Sequence, residues 1–312
     1  MGRAAVWTVA GTAIAAAVVL TLLGVGDDPA ALPNWQALIL GLVQGATELL
    51  PVSSSGHLIL VPWLGDWDYL KEHEAFNQTF DVALHLGTLV AVVAYFWRDL
   101  VGLLKAWVRT LSTRRVETPE ERVAWFVVVA TIPAALVGFL GEDLIAEHLG
   151  EPWQIAIALV LFAGLLWVAD RQPERRGMGT LGPREALAIG AAQSLALMPG
   201  VSRSGITITA GRFLGLDRDS AARVSFLLLV PVVLGAVLLK GVQDVILGDL
   251  PPGSAGPFVV GTLAAAGAGL LAIDGLLGYV RRHDYSIFVW YRLIAAAIVI
   301  LLIVTGARSA GF

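Results

Sequence analysis

Gly41-Leu-Val-Gln44-Gly-Ala-Thr-Glu48-Leu-Leu-Pro51-Val-Ser53-Ser54-Ser55-Gly56-His57 places an amide, a carboxylate, three serine hydroxyls and an imidazole inside an otherwise apolar run. Gln44 and Glu48 are four apart, so on a helix they share one face. Pro51 ends or kinks that helix, because it lacks an N–H and clashes with the preceding turn. Ser53 to Gly56 then supply N-cap residues and a flexible glycine for a second helix opening near His57. The stretch predicts a broken helix with its polar side chains gathered at the break. Polar groups at membrane depth are costly and by default mark a functional site.

The surrounding composition supports that depth. Of 312 residues, 57% are hydrophobic and only 15% charged, and several apolar segments reach the roughly 20 residues needed to cross a bilayer. The chain therefore reads as an all-α polytopic membrane protein. A net charge of −4 gives no reason to expect nucleic acid as a partner. With no cysteine, disulfides, thiolate metal sites and cysteine nucleophiles are excluded.

A second copy of the pattern follows in Gly190-Ala-Ala-Gln193-Ser-Leu-Ala-Leu-Met-Pro199-Gly200-Val-Ser202-Arg203-Ser204-Gly205. Gln44/Gln193, Ser53/Ser202, Ser55/Ser204 and Gly56/Gly205 share one offset. Glu48 is replaced by Leu197, Ser54 by Arg203 and His57 by Ile206, so the copies are alike in shape and complementary in chemistry.

Taken in order, residues 1–33 hold an extra N-terminal helix, Ala4–Val25. A signal's apolar region is usually only about 7–15 residues, which favours a retained helix over a cleaved one. Residues 34–180 form a first repeat, with a broken-helix hairpin and spans near 80–106, 122–142 and 153–170. Residues 181–312 form a second, with a hairpin near 183–214 and spans near 219–241, 256–280 and 288–306. Each half of a hairpin is too short to span, so both are expected to be re-entrant. Non-helical backbone at such depth survives only when buried in protein or lining a cavity. Three spans per repeat invert the second repeat relative to the first.

Charge placement agrees. Arg109, Arg114, Arg115 and Arg122, then Arg171, Arg175, Arg176 and Arg184, then Arg281 and Arg282 fall in loops the scheme puts inside, as Lys/Arg bias requires. Asp66, Asp68, Glu72 and Glu74, then Asp143, Glu147 and Glu151, then Asp244 and Asp249 fall outside, with Arg308 a minor exception. The hairpins thus enter from opposite sides and their tips can meet near the midplane.

At such a meeting point two half-helix N-termini, near Ser55–His57 and Ser204–Thr207, would aim free N–H groups at one spot and make an anion site. Arg203 adds a planar fork suited to phosphate oxygens. Glu48, Ser53, Ser54, Ser55 and His57 offer a base, nucleophiles and a proton donor, while Glu48 with Gln44 offers oxygen ligands for a divalent cation. Each has a plainer reading: serines as caps, His57 as a satisfied buried polar group, Arg203 as a neutralising partner of Glu48, Gln44 as interhelical glue. His85 reads as a core or pocket-wall residue, Asp274 and Arg292 as a pair between late helices, and Arg223 and Lys240 as snorkelling cations. Broken helices in inverted repeats equally suit a secondary transporter or flippase for an anionic, phosphorylated substrate. The residues alone leave hydrolase and transporter open.

Gln44-x-x-x-Glu48 with Pro51-Val-Ser-Ser-Ser-Gly-His57, together with Pro199-Gly-Val-Ser-Arg203-Ser-Gly205, resembles the bacterial undecaprenyl-diphosphatase family linked to bacitracin resistance. The likeness covers about residues 34–306. It includes Phe80-x-x-x-x-x-Leu86-Gly87, Ile132-Pro133-Ala134, Ser225-Phe-Leu-Leu-Leu-Val-Pro231 and Tyr291-Arg292. The resemblance implies hydrolysis of undecaprenyl diphosphate to undecaprenyl phosphate, the lipid carrier for cell-wall synthesis. It implies the bacterial inner membrane, a cleft open to the periplasmic side, a divalent cation (Mg2+ or Ca2+) and a homodimer. Carried over, Glu48 is base or metal ligand beside Gln44, Ser54 the nucleophile with His57 its rival, and Arg203 the phosphate-binding arginine. Ser53, Ser55, Ser202, Ser204 and Gly205 would complete the substrate site. Two features depart from the pattern: the added helix in residues 1–33, and Gln44 where many members have Glu.

Overall fold

The structure, a computed structural model, describes residues 2–28, 31–240 and 253–311, with the side chains of 142–147 and 240 left aside. Thirteen α-helices are described: α1 Arg3–Leu22, α2 Asn34–Leu49, α3 Ser54–Gly65, α4 Asp68–Glu72, α5 Glu74–Tyr95, α6 Trp97–Thr113, α7 Pro119–His148, α8 Pro152–Asp170, α9 Pro183–Ser194, α10 Arg203–Phe213, α11 Arg218–Lys240, α12 Ala255–Val280 and α13 Ser286–Val304. Among the described residues there is no strand, only an isolated bridge between Arg176 and Leu216. Seven helices are long and apolar enough to cross a membrane: α1, α5, α7, α8, α11, α12 and α13. This is a multi-pass membrane protein.

One expected span is drawn differently. The segment 80–106 is two helices, because α5 stops at Tyr95 and α6 starts at Trp97 after a turn at Phe96. Arg98, Asp99, Lys105 and Arg109 recur along α6, and an apolar crossing cannot carry them at that density. The span before it starts earlier than read, at Glu74. Asp244 and Asp249 lie outside the described residues, as do the side chains of Asp143, Glu147 and Lys240.

Both sequence breaks are real interruptions. Leu50, just before Pro51, is extended (φ −80°, ψ 146°), as the proline ring demands of its predecessor. Ser53 (φ 78°) and Ser202 (φ 75°) both take a left-handed backbone that non-glycine residues rarely adopt. Each then caps the helix that follows: Ser53 Oγ accepts from the Gly56 amide at 3.3 Å, and Ser202 Oγ from the Gly205 amide at 3.0 Å. The duplicated Ser-x-Ser-Gly sequence thus produces one duplicated local structure.

A seam of small residues brings α2 onto α12. A Cβ on Gly41 would lie 2.3 Å from the Gly261 carbonyl oxygen, and one on Gly45 2.4 Å from that of Ala265. Gly87 of α5 meets the same helix, 2.4 Å from the Thr262 carbonyl. With lipid outside as apolar as any side chain, such close backbone approach is what holds these helices together. It also fixes the depth of Glu48, one turn beyond Gly45. Replacing Gly45 by Val is therefore expected to lower stability by at least about 1–3 kcal/mol, the usual cost of overpacking. A thermal unfolding curve in detergent, set beside the same change at Gly102, where a Cβ meets open space, checks this.

Candidate active site

The two breaks lie against each other and are stapled reciprocally. Ser53 Oγ accepts from the Gly200 amide at 3.0 Å, and Ser204 Oγ donates to the Leu50 carbonyl at 2.8 Å. Arg292 of α13, fully buried, donates from Nε to the Pro51 carbonyl (2.8 Å) and from Nη2 to the Val201 carbonyl (2.7 Å). It does not pair with Asp274. That carboxylate instead accepts from Arg3 Nε at 2.9 Å and Trp7 Nε1 at 3.0 Å, tying α1 to α12. The expected late-helix pair fails because Arg292 is consumed by carbonyls that the breaks leave without helical partners. Arg223 pairs with Asp219 at 2.6 Å.

Glu48, 5% exposed, is the hub of this junction. Its Oε1 accepts from Arg203 Nε (3.2 Å) and Nη2 (3.1 Å), a fork across the two breaks. Its Oε2 accepts from the Ser54 hydroxyl and from Gln44 Nε2 at 3.3 Å. His85 Nε2 stands 3.5 Å from the same oxygen, and its Nδ1 donates to the Asp81 carbonyl at 2.7 Å, which aims the ring. Arg203 Nη1 is anchored in turn on the Ser225 carbonyl at 2.7 Å.

These groups open onto a cavity of about 280 Å3. Its polar end holds Glu48, Ser54, Ser55, Asp81, His85, Gln193 and Arg203, and its wall is Ala134, Ala196, Leu197 and four residues of α11 between Val232 and Val237. Ser54 and Ser55 begin α3, and Arg203 and Ser204 begin α10, so four amides at this junction have no intrahelical acceptor. Gln44 Oε1 and both polar atoms of Gln193 are buried without a partner. Leaving buried polar atoms unsatisfied costs about 1–3 kcal/mol each, a cost a polar ligand would remove.

The predicted residues divide into two groups. Glu48, Ser54, Ser55 and Arg203 meet at the cavity, with Gln44 behind Glu48. Ser53, Ser202, Ser204 and Gly205 work as caps and staples, and a Cβ on Gly205 would lie 2.7 Å from Arg292 Nη2. His57 faces away from the cavity: Nδ1 donates to the Ser53 carbonyl at 2.6 Å, and Nε2 lies 2.6 Å from the Tyr291 hydroxyl of α13.

The family model described as Bacitracin resistance protein BacA matches residues 37–298, both breaks included. The chain belongs to the BacA family. It is 48% identical over 283 residues to an undecaprenyl-diphosphatase of Thermomicrobium roseum, covering 88% of this chain and 99% of that protein. It is 43% identical over 280 residues to one of Pelotomaculum thermopropionicum (89% and 99%), and 46% over 272 residues to one of Pelobacter propionicus (86% and 97%). The BacA match begins after α1, so the Arg3–Asp274 tie joins a helix outside the matched region to one within it.

Reading the residues one by one missed Asp81, Ser225, Tyr291 and Arg292 as parts of the junction. His85, read as a core or pocket-wall residue, does line the cavity, but its contact with Glu48 depends on how α5 packs and leaves no local sequence signal. Ser225 acts through its carbonyl, which no side-chain pattern records.

Breaking a buried ion pair strands the surviving charge, so Arg203→Ala is expected to cost about 3–5 kcal/mol of stability. Glu48→Leu combined with Arg203→Leu should recover most of that loss, since neither member of the fork is left as an unpaired charge and His85 can shed its proton. Thermal unfolding of the single and double variants in detergent measures both.

Proposed function

We propose that this protein is an undecaprenyl-diphosphatase that releases inorganic phosphate and returns undecaprenyl phosphate for cell-wall synthesis, so conferring bacitracin resistance. One observation carries the reading: the Ser54 hydroxyl, at the first turn of a helix and facing a cavity, donates to a carboxylate gripped by an arginine from the other break. That is a nucleophile, its base and an anion receptor in one place. The Thermomicrobium and Pelotomaculum relatives carry the same activity in their names. The transporter reading has no comparable support.

In the proposed reaction the terminal phosphate enters between the starts of α3 and α10. Arg203 and the free amides take its equatorial oxygens. Ser54 Oγ attacks phosphorus, Glu48 accepts the hydroxyl proton, and the bond to the bridging oxygen breaks, expelling undecaprenyl phosphate. Water then hydrolyses the phosphoserine and frees phosphate. Arg203 couples binding to activation, because a phosphate that draws the guanidinium away from Oε1 leaves Glu48 a stronger base. His57, held by the Ser53 carbonyl and the Tyr291 hydroxyl, supports the backbone at the nucleophile.

A divalent cation, Mg2+ or Ca2+, fits the donor set: hard oxygen ligands in the Glu48 carboxylate and the unsatisfied Gln44 Oε1. No group of three or more His, Cys, Asp or Glu that could hold a metal gathers among the described residues, so most ligands would come from water and the diphosphate itself. Such an ion would neutralise diphosphate charge.

The finer architecture belongs to the same reading: two inverted repeats with re-entrant hairpins, in the inner membrane, the cleft opening outward, and a homodimer on the resemblance alone. The first hairpin begins where the Asn34 amide bonds Asp27 and ends where Asp66 pairs with Arg308, both on the side assigned outside. The second begins where Arg176 pairs with Glu185 and ends where Arg212 bonds the Asp170 carbonyl, on the side assigned inside.

The test is phosphate release from a polyprenyl diphosphate in detergent, with and without chelator. Wild type should turn over and lose activity on chelation, while Glu48→Gln and Arg203→Lys should lose most of it. Ser54→Ala should fall at least about a thousandfold, the scale of removing a nucleophile, and His57→Asn far less. Wild-type folded protein releasing no phosphate would overturn the assignment. Equal losses for Ser54→Ala and His57→Asn would overturn the choice of nucleophile.

A further inference from the structure

We propose that α6 lies flat in the membrane interface and that Arg98, Lys105 and Arg109 along one edge form a docking strip for the headgroups of anionic phospholipids. The helix divides lengthwise into distinct faces. One packs on the protein: Leu100 joins the core, Thr110 is buried and accepts from Trp125 Nε1 at 2.9 Å, and Trp107 lies against Trp125 with ring centroids 6.1 Å apart. Beside it runs an uncovered apolar stripe of Trp97 (60% exposed), Leu104 (60%), Val108 (49%) and Leu111 (50%), repeating at helical spacing. Arg98, Lys105 and Arg109 repeat at the same spacing on the next edge round, between that stripe and the polar side carrying Asp99, Gly102 and Thr113.

That order is what an interfacial helix needs. With the apolar stripe sunk among acyl chains, the edge between it and water lies at the level of the headgroups. Two cations on that edge are available: among the described residues Arg98 and Lys105 have no ionic partner, while Arg109 Nε pairs loosely with Glu121 at 3.7 Å. A chain with net charge −4 thus presents a row of cations where lipid phosphates lie. Charge complementarity selects an anionic headgroup over a zwitterionic one, and Trp97, at the start of the apolar stripe, suits the boundary just beneath the headgroups. Polar atoms of a soluble protein would leave the apolar stripe uncovered, so a lipid surface is the partner that satisfies both faces.

The test uses the whole protein in mixed micelles of phosphatidylglycerol and phosphatidylcholine in equal amounts, with retained lipid counted by native mass spectrometry. Wild type should retain phosphatidylglycerol preferentially, and Arg98→Gln with Lys105→Gln should reduce that preference about thirtyfold, at about 1 kcal/mol per cation. Phosphate release in neutral detergent should be unchanged, because neither residue borders the cavity. A preference that survives the double substitution overturns the proposal. A second measurement leaves the charge row intact: bromines placed near the headgroup should quench the fluorescence difference between wild type and Trp97→Phe more than bromines near the chain terminus. The reverse order, or no quenching, would place α6 off the interface and overturn it equally.

Discussion

Backbone that leaves the helix where protein buries it has no water to satisfy it, and that constraint governs the centre of this protein. The first break exposes the carbonyls of Leu50 and Pro51, and the second exposes the Gly200 amide and the Val201 carbonyl. Ser204, Arg292 and Ser53 answer these groups, and all three come from the opposite break or a distant helix. Each break is thus held by groups outside itself. The meeting of Glu48 and Arg203 follows from that mutual dependence, since the side chains ride on segments whose backbones are already tied.

The same economy appears in the conformations of Ser53 and Ser202. A left-handed serine costs on the order of 1–3 kcal/mol, and such strain persists only where the surroundings over-determine it. Here a cap bond to the third residue onward holds each serine, and Ser53 has a further bond from Gly200. The reward is a helix that starts abruptly, so that Ser54 and Arg203 occupy first-turn positions beside unpaired amides.

Much of this was legible in the sequence because it depends on local rules. Pro51 and Pro199 mark the interruptions, Ser-x-Ser-Gly the restarts, and apolar runs of spanning length the crossings. The duplication predicted that one geometry would occur twice, and the caps at Ser53 and Ser202 show it. What was not legible depends on packing. His57 and Ser54 are equally conspicuous in the chain, yet packing gives Ser54 a bond to Glu48 at the cavity and His57 bonds to the Ser53 carbonyl and Tyr291 of α13. Arg292 read as a partner for Asp274 because both are charges in apolar helices, while its real acceptors are carbonyls, invisible to a pattern of side chains. The joining of α5 and α6 into one span came from counting apolar residues without asking which face they occupy.

In the proposed reaction Arg203 would face a choice between two anions, the Glu48 carboxylate that holds it here and the phosphate that arrives. A diphosphate terminus, with more charge and more oxygens, would compete well for the guanidinium, and the lipid monophosphate less well. The protein's own carboxylate would then retake the arginine as turnover ends, an internal rival that assists product release and sorts one lipid from the other.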